Sequence, residues 1–203
     1  MAADQEKPPN LRAQVRETVR ARVAEIAFNL FAERGFEQTT AAEAAAAAGI
    51  SRASFFRYFA SKEEAVYVAQ EATGAKIAAA VAARPTVEST WAALHHGFHS
   101  AIEEYVDEPA RALARIRLTR ETPSLRAHQL ERQAQWRDVI GEALADRGKG
   151  SAHDLKVEAV VAAALSALDV AAGRWGESDG SGNFIAMLDE AFEAVGDVAL
   201  GGG

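Results

Sequence analysis

Residues 39–62 read TTAAEAAAAAGISRASFFRYFASK, and this stretch decides the fold. Thr40 is placed to cap a helix by accepting from a backbone N–H of its first turn. Glu43, three residues on, can reach back as its capping-box partner. Ala41 to Ala48 is nearly all alanine, the best helix former and thin enough for close approach. Gly49 supplies the residue that takes positive φ at a corner, Ile50 plugs the angle, and Ser51 caps a second helix. That helix is short, basic and aromatic: Arg52-Ala53-Ser54-Phe55-Phe56-Arg57-Tyr58-Phe59. Phe55 and Phe59, at i and i+4, share the inward face. Arg52, Ser54, Phe56, Arg57 and Tyr58 are left around the outward sides. A helix, a tight turn and a cationic second helix form a helix-turn-helix that reads DNA.

Working outward, GISRASFFRYFASKEEA at 49–65 resembles the core signature of the TetR family of transcriptional regulators, and AFNLFAERGFEQTT at 27–40 resembles its first helix and Gly-Phe exit. The resemblance covers the first third of the chain. It implies an operator-reading head on an α-helical body that dimerises and takes a small effector. Two residues depart from the pattern. Ala44 stands where a large aliphatic residue is usual, and Ala42 where many members carry a side chain that touches DNA. With Ala42 set aside, Arg52, Ser54 and Phe56 are expected at base edges or thymine methyls, and Thr40, Arg57, Tyr58 and Lys62 at phosphates.

Charge distribution agrees with that division. The 203 residues carry a net charge of −7, yet residues 1–62 hold nine Lys/Arg against seven Asp/Glu. A mildly basic head on an acidic body suits a small DNA-binding module attached to a domain of another purpose. There is no cysteine, which excludes disulfides and thiolate chemistry. The first ten residues, MAADQEKPPN, are polar and Pro-rich rather than a signal peptide, and the longest apolar run, Ala159 to Leu168, is too short to span a bilayer. A cytoplasmic protein with no membrane partner is expected.

The periodicity predicts an all-α chain of nine helices: a disordered arm over 1–12, a DNA-binding domain over 13–60, and an effector and dimerisation domain over 61–203. Val15, Val19, Val23, Ile26, Leu30 and Phe31 give the first helix an apolar face, and Gly35 ends it. Arg16 and Arg20 on its polar side suit either phosphate or solvent. Ser61 and Glu64 form a second capping box, opening one helix to Arg84, where Pro85 stops it. Further helices are expected over 87–106, 109–120, 124–147, 154–175 and 184–200.

In the body, Trp91, His95, Phe98, Ile102 and Tyr105 on the 87–106 helix, with Trp136, are expected to line one effector pocket. His95, His99 and Glu103 fall at i, i+4 and i+8, an acceptable metal-ligand spacing. Without cysteine or a fourth ligand, no metal or other cofactor is assigned, and the imidazoles are expected as polar anchors. Arg111, Arg115, Arg117 and Arg120 read as a solvated face, or as a site for a carboxylate or phosphate. The segment RIRLTRETPSLRAHQLERQAQW at 115–136 resembles effector domains related to the regulator of the mycofactocin cluster, some of which respond to fatty acyl-CoA. The last two helices are apolar around most of their circumference. Val161, Leu165, Leu168, Ala172, Leu188 and Phe192 are therefore expected in a four-helix interface of a homodimer that binds a palindromic operator.

No triad or glycine-rich phosphate loop is present, so the chain is not expected to be an enzyme. The alternatives are a metal-dependent all-α protein using the histidines at 95–99, and a DNA-binding protein with no effector.

Overall fold

The computed structural model describes residues 11–100, 102–148, 151–152 and 154–200, and there is no strand among them. The arm expected over 1–12 lies outside the described residues as far as residue 10; Leu11 and Arg12 already belong to the first helix. The chain forms two compact units that divide between Ala69 and Gln70.

The first unit contains α1 (Leu11–Arg34), α2 (Ala41–Ala47), α3 (Arg52–Tyr58) and α4 (Lys62–Tyr67). Gly35 ends α1 at φ +87° and Gly49 turns the corner between α2 and α3 at φ +71°, a region closed to most L-residues. Thr40 and Glu43 make the full capping box, and the Thr40 backbone N–H and hydroxyl hold the Glu43 carboxyl below its ordinary range. Ser51 caps α3 by accepting from Ser54 N. At the third cap, Ser61 accepts from Glu64 N, but the Glu64 carboxylate reaches past the cap to Ala60 N and to Arg20.

The core of this unit is aromatic. Phe28, Phe31, Phe36, Phe55 and Phe59 are buried with Ala44 and Ala45, Phe31 edge-on to Phe36 at 5.1 Å and Phe55 against Phe59 at 4.8 Å. Burying each such ring stabilises by about 1.5–3 kcal/mol. Only the second half of the expected apolar face of α1 takes part: Val23 and Phe31 are buried, whereas Val15 and Val19 are exposed.

The second unit contains α5 (Thr73–Ala82), α6 (Thr90–His99), α7 (Glu103–Asp107), α8 (Pro109–Glu121), α9 (Pro123–Asp146), α10 (Leu155–Glu177) and α11 (Phe184–Leu200). Two helices expected to be continuous are broken, so nine expected helices become eleven among the described residues. The helix expected over 62–84 tightens into a 3₁₀ turn at Val68–Gln70, restarting at Thr73 as α5. The helix expected over 87–106 stops at His99, where Ser100 Oγ donates back to Gly97 O at 2.6 Å.

The most extensive packing is α5 against α9 and α10 against α11. At Gly97, α6 approaches α5 closely: a Cβ would lie 2.5 Å from Val81 Cγ2 and 3.2 Å from Ile77 O. Arg147, just past α9 and 6% exposed, donates to the carbonyls of Val81, Arg84, Pro85 (2.9 Å) and Glu88, satisfying the end of α5 and the corner after it.

Candidate functional site: an exposed reading helix and an arginine-lined cavity

The sequence of α3 separates a structural face from a presenting face. Phe55 and Phe59 point inward, while Arg52, Ala53, Phe56 and Arg57 are exposed. Phe56 stands edge-on to buried Phe55 at 5.7 Å, with the Arg52 guanidinium 5.4 Å from its ring centroid. Arg57 lies over Tyr58 in the same way at 5.8 Å. Such flat cation-aromatic pairs hold guanidinium forks extended at low conformational cost. Ser54 is half-buried and shares a hydrogen bond with the Ser51 hydroxyl at 3.1 Å. Thr40 is exposed at the N-terminus of α2, its hydroxyl donating to Glu43.

Lys62, expected beside a DNA backbone, faces the other way. Its ammonium donates to Phe36 O at 2.7 Å and Thr39 O at 3.1 Å and sits 3.9 Å from the Phe36 ring centroid. Held by the carbonyls of the turn after α1, Lys62 is a staple of the head. Arg20 is likewise turned inward, to Tyr58 O at 3.2 Å and Glu64 at 2.9 Å, whereas Arg16 stays exposed.

The second unit holds a cavity of about 300 Å³ lined from α7, α8, α9, α10 and Gln70. Its apolar lining is Tyr105, Ile116, Leu130, Trp136, Leu168 and Ala172, and four arginines share it: Arg115, Arg120, Arg126 and Arg132. Arg115 is buried, its guanidinium 5.5 Å from the Tyr105 centroid. Arg120 is bound to Gly173 O and Glu177 at the cavity's edge. Arg132 lies over Trp136 at 5.2 Å and donates to Gln70 O at 2.7 Å. The one acid among the described lining residues, Asp169, accepts from Gln133 at 2.8 Å and Gln129 at 3.1 Å. Burial pushes its carboxyl above the ordinary range, and the two amide hydrogen bonds only partly offset this.

Arginine forks beside an apolar lining suit an anion with an apolar tail. Of the expected arginine cluster, Arg115 and Arg120 reach this cavity, while Arg117 pairs with Asp179 and Arg111 with Glu108. Arg126, Arg132, Gln133 and Asp169 are additions. The spacing of Arg126, Gln129 and Gln133 places them on one turn-to-turn row of α9, which periodicity could have found.

The single pocket expected on six residues divides. Tyr105 and Trp136 line the cavity; Phe98 and Ile102 are buried in the core; Trp91 and His95 border a shallow groove on the α6–α11 side. The cause is the break after His99, which rotates Tyr105 off the row that Trp91, His95 and Phe98 would share with it. The same break interrupts the row from His95 and His99 to Glu103. A residue from α11 takes its place: Asp189 Oδ1 lies 2.7 Å from His95 Nε2 and 2.8 Å from His99 Nε2, and the two nitrogens are 3.3 Å apart. Burial acts to raise the Asp189 carboxyl, but the hydrogen bonds from His99 and His95 outweigh it and hold it below its ordinary range.

The residues expected at a subunit interface are internal. Val161, Leu165, Leu168, Leu188 and Phe192 are buried in the core of the single chain, and half-buried Ala172 lines the cavity. The helices α6, α8, α9 and α11 already cover that face of α10. A different stripe on α10 faces outward: Ala159, Ser166 and Val170 are exposed, Val170 at 61%, with half-buried Ala163 between them and half-buried Gly173, which also borders the cavity, at the end.

Residues 25–66 match the family of bacterial regulatory proteins of the tetR type, and residues 88–199 match the MftR C-terminal domain. The chain is similar to MftR of Mycobacterium tuberculosis, described as a mycofactocin biosynthesis transcriptional regulator, with 29% identity over 89% of this chain and 91% of the relative. It is also similar to the HTH-type transcriptional regulator TcmR of Streptomyces glaucescens, 30% identical over 68% of this chain and 64% of that protein. Two solved structures share the fold. One is FadR of Thermus thermophilus, a TetR-family repressor in complex with lauroyl-CoA, with a TM-score of 0.58, 24% identity, and coverage of 86% of this chain and 91% of that one. The other is PfmR, also from Thermus thermophilus, with a TM-score of 0.51, 21% identity, and coverage of 86% and 96%.

Proposed function

The chain belongs to the TetR family of bacterial transcriptional regulators, and on that premise we propose a repressor that binds a palindromic operator as a homodimer and leaves it when an anionic amphiphile fills the arginine-lined cavity. The α3 surface supports the DNA half of this reading: Arg52 and Phe56 reach base edges, Arg57 and Tyr58 reach phosphates, and Thr40 contributes from the start of α2. Two reading helices must sit about 34–36 Å apart to meet successive turns of duplex, which requires a second subunit. The outward stripe of small residues on α10 is the surface we assign to it.

The observation that carries the effector half is the placing of four arginines around one apolar-lined space. Of these, Arg132 connects ligand to linker. It holds the Gln70 carbonyl at the end of the 3₁₀ turn where the two units join in sequence, so an anion competing for its guanidinium withdraws that support. A ligand shifts the protein only by its differential affinity for the released state. Lauroyl-CoA, found in the related fold of FadR, is a suitable first probe.

The test is an anisotropy titration on an operator selected from random duplexes, with and without lauroyl-CoA, in wild type and in Arg126→Ala. Lauroyl-CoA should weaken operator binding by wild type, and the substitution should blunt that response while leaving ligand-free affinity intact. A wild type that binds operator tightly and ignores lauroyl-CoA and free fatty acids alike would mark an effector-independent reader instead.

A further inference from the structure

On α6 and α11, outside the arginine cavity, three side chains converge in a way the regulatory reading does not use. His95 and His99 project one turn apart from α6 and aim their Nε2 atoms at a single oxygen of Asp189, with nitrogen–oxygen distances of 2.7 and 2.8 Å and a nitrogen–nitrogen distance of 3.3 Å. Among the described residues, this is the group of histidine and carboxylate ligand atoms that could hold one ion.

The triangle has the right size. Donors held about 2.0–2.2 Å from a first-row divalent ion stand roughly 2.9–3.5 Å apart at tetrahedral or octahedral angles. The observed edges need only a few tenths of an ångström of adjustment. One N–H from each imidazole to a lone pair of Asp189 Oδ1 is one way to satisfy these contacts. A cation lets all three atoms act as lone-pair donors toward one centre. Each of the three side chains keeps between 29% and 37% of its surface, so water can fill the remaining positions.

The surroundings fix the geometry and supply access. His95 is stacked on buried Phe192 at 4.8 Å and 24°, which sets its ring plane. The groove beside it carries Glu193 and Asp197, whose charges draw cations toward its mouth.

We propose that His95, His99 and Asp189 form a binding site for a divalent transition-metal ion of the zinc class, two imidazoles and one carboxylate with water completing the shell, which clamps the C-terminal helix α11 to α6. Imidazole-rich donor sets favour Zn, Ni, Cu and Co over Mg and Ca.

The experiment uses the full-length chain without a histidine tag, stripped with chelator and titrated with zinc sulfate by calorimetry, with cobalt as an absorbance probe. Wild type should take about one equivalent per chain, melt at a higher temperature with zinc, and give the d–d absorption of ligated cobalt. His99→Ala and Asp189→Asn should each weaken binding by at least the roughly 10–100-fold that losing even an outer partner costs. His96→Ala, on the neighbouring face against Glu88, should bind as wild type does. If either variant proves unstable, His99→Cys offers a thiolate in place of imidazole and should still bind, with a red-shifted cobalt spectrum. A wild type that takes up no zinc, or a His99→Ala protein that takes it up unchanged, would overturn the site and leave a proton-sharing cluster.

Discussion

Single residues in the head divide into those that hold it and those that present. Lys62 and Arg52 are both cations near the tip, yet one is tied to two carbonyls and the other lies open on α3. Lys62→Met should therefore cost about 1–3 kcal/mol of head stability by removing the cation that Phe36 O and Thr39 O share, with the salt dependence of DNA binding unchanged. Arg52→Ala should leave melting untouched and lose about 1–3 kcal/mol of discrimination at one operator position. Thermal melts and salt titrations on both variants separate the two roles. Sequence could not make this distinction, because the carbonyls that capture Lys62 belong to a turn 23–26 residues away.

Burial in the body disfavours the charged form of Asp169. Its folded value is raised by burial, so its contribution to stability is full below the ordinary carboxylate range and is lost as pH rises through the raised value. Asp169→Asn should match wild type at about pH 4, near the ordinary Asp value, and melt at a higher temperature than wild type at neutral pH. A melting difference that is constant between those pH values, or of opposite sign, would show that its hydrogen bonds to the glutamines dominate.

At the scale of elements, the punctuation of the chain was legible wherever it is local. Gly35, Gly49, Pro85, Pro109 and Pro123, with the Thr40, Ser51 and Ser61 caps, place helix ends to within a residue or two. The two missed breaks have different causes. Residues 68–72, VAQEA, favour helix, and the 3₁₀ turn there is held by Arg132 from a distant helix. Ser100 did carry a signal, since a serine can bond back to a carbonyl of the preceding turn and loosen the helix. Arg147 shows how a distant residue terminates an element. Arg147→Ala would leave the Arg84 and Glu88 carbonyls without their donor, while Val81 O and Pro85 O keep backbone N–H partners, and should cost about 1–3 kcal/mol, with Arg147→Lys recovering part of it. Chemical denaturation of the three proteins checks the order.

At the scale of the whole molecule, the sequence alone predicts that the last two helices share their apolar face with another subunit. Apolar residues around most of a helix do require burial on more than one side. Periodicity does not say whether the second side is filled by the same chain, and here α6, α8 and α9 fill it. The consequences for mutation differ. Val161→Lys should unfold the body by burying an unpaired charge. Val170→Lys, on the outward stripe of α10, should leave the monomer folded and shift a sedimenting dimer toward monomer. Circular dichroism and sedimentation velocity on the two proteins distinguish an internal core from a shared one. Equal unfolding by both would place Val170 in the core as well.

The two-sidedness of α3 also bears on how such a protein changes over evolutionary time. Everything that keeps the helix in place, from Phe55 and Phe59 to the Ser51 cap, lies on one side or at its end, and the outward residues Arg52, Ala53, Phe56 and Arg57 bear little of that burden. Substitutions confined to such positions usually alter stability by no more than about 0.5 kcal/mol. On the reading proposed above, Arg52 and Phe56 are the positions at which new operators can be tried without unsettling the helix that carries them, while Arg57 keeps its hold on the backbone whatever the sequence.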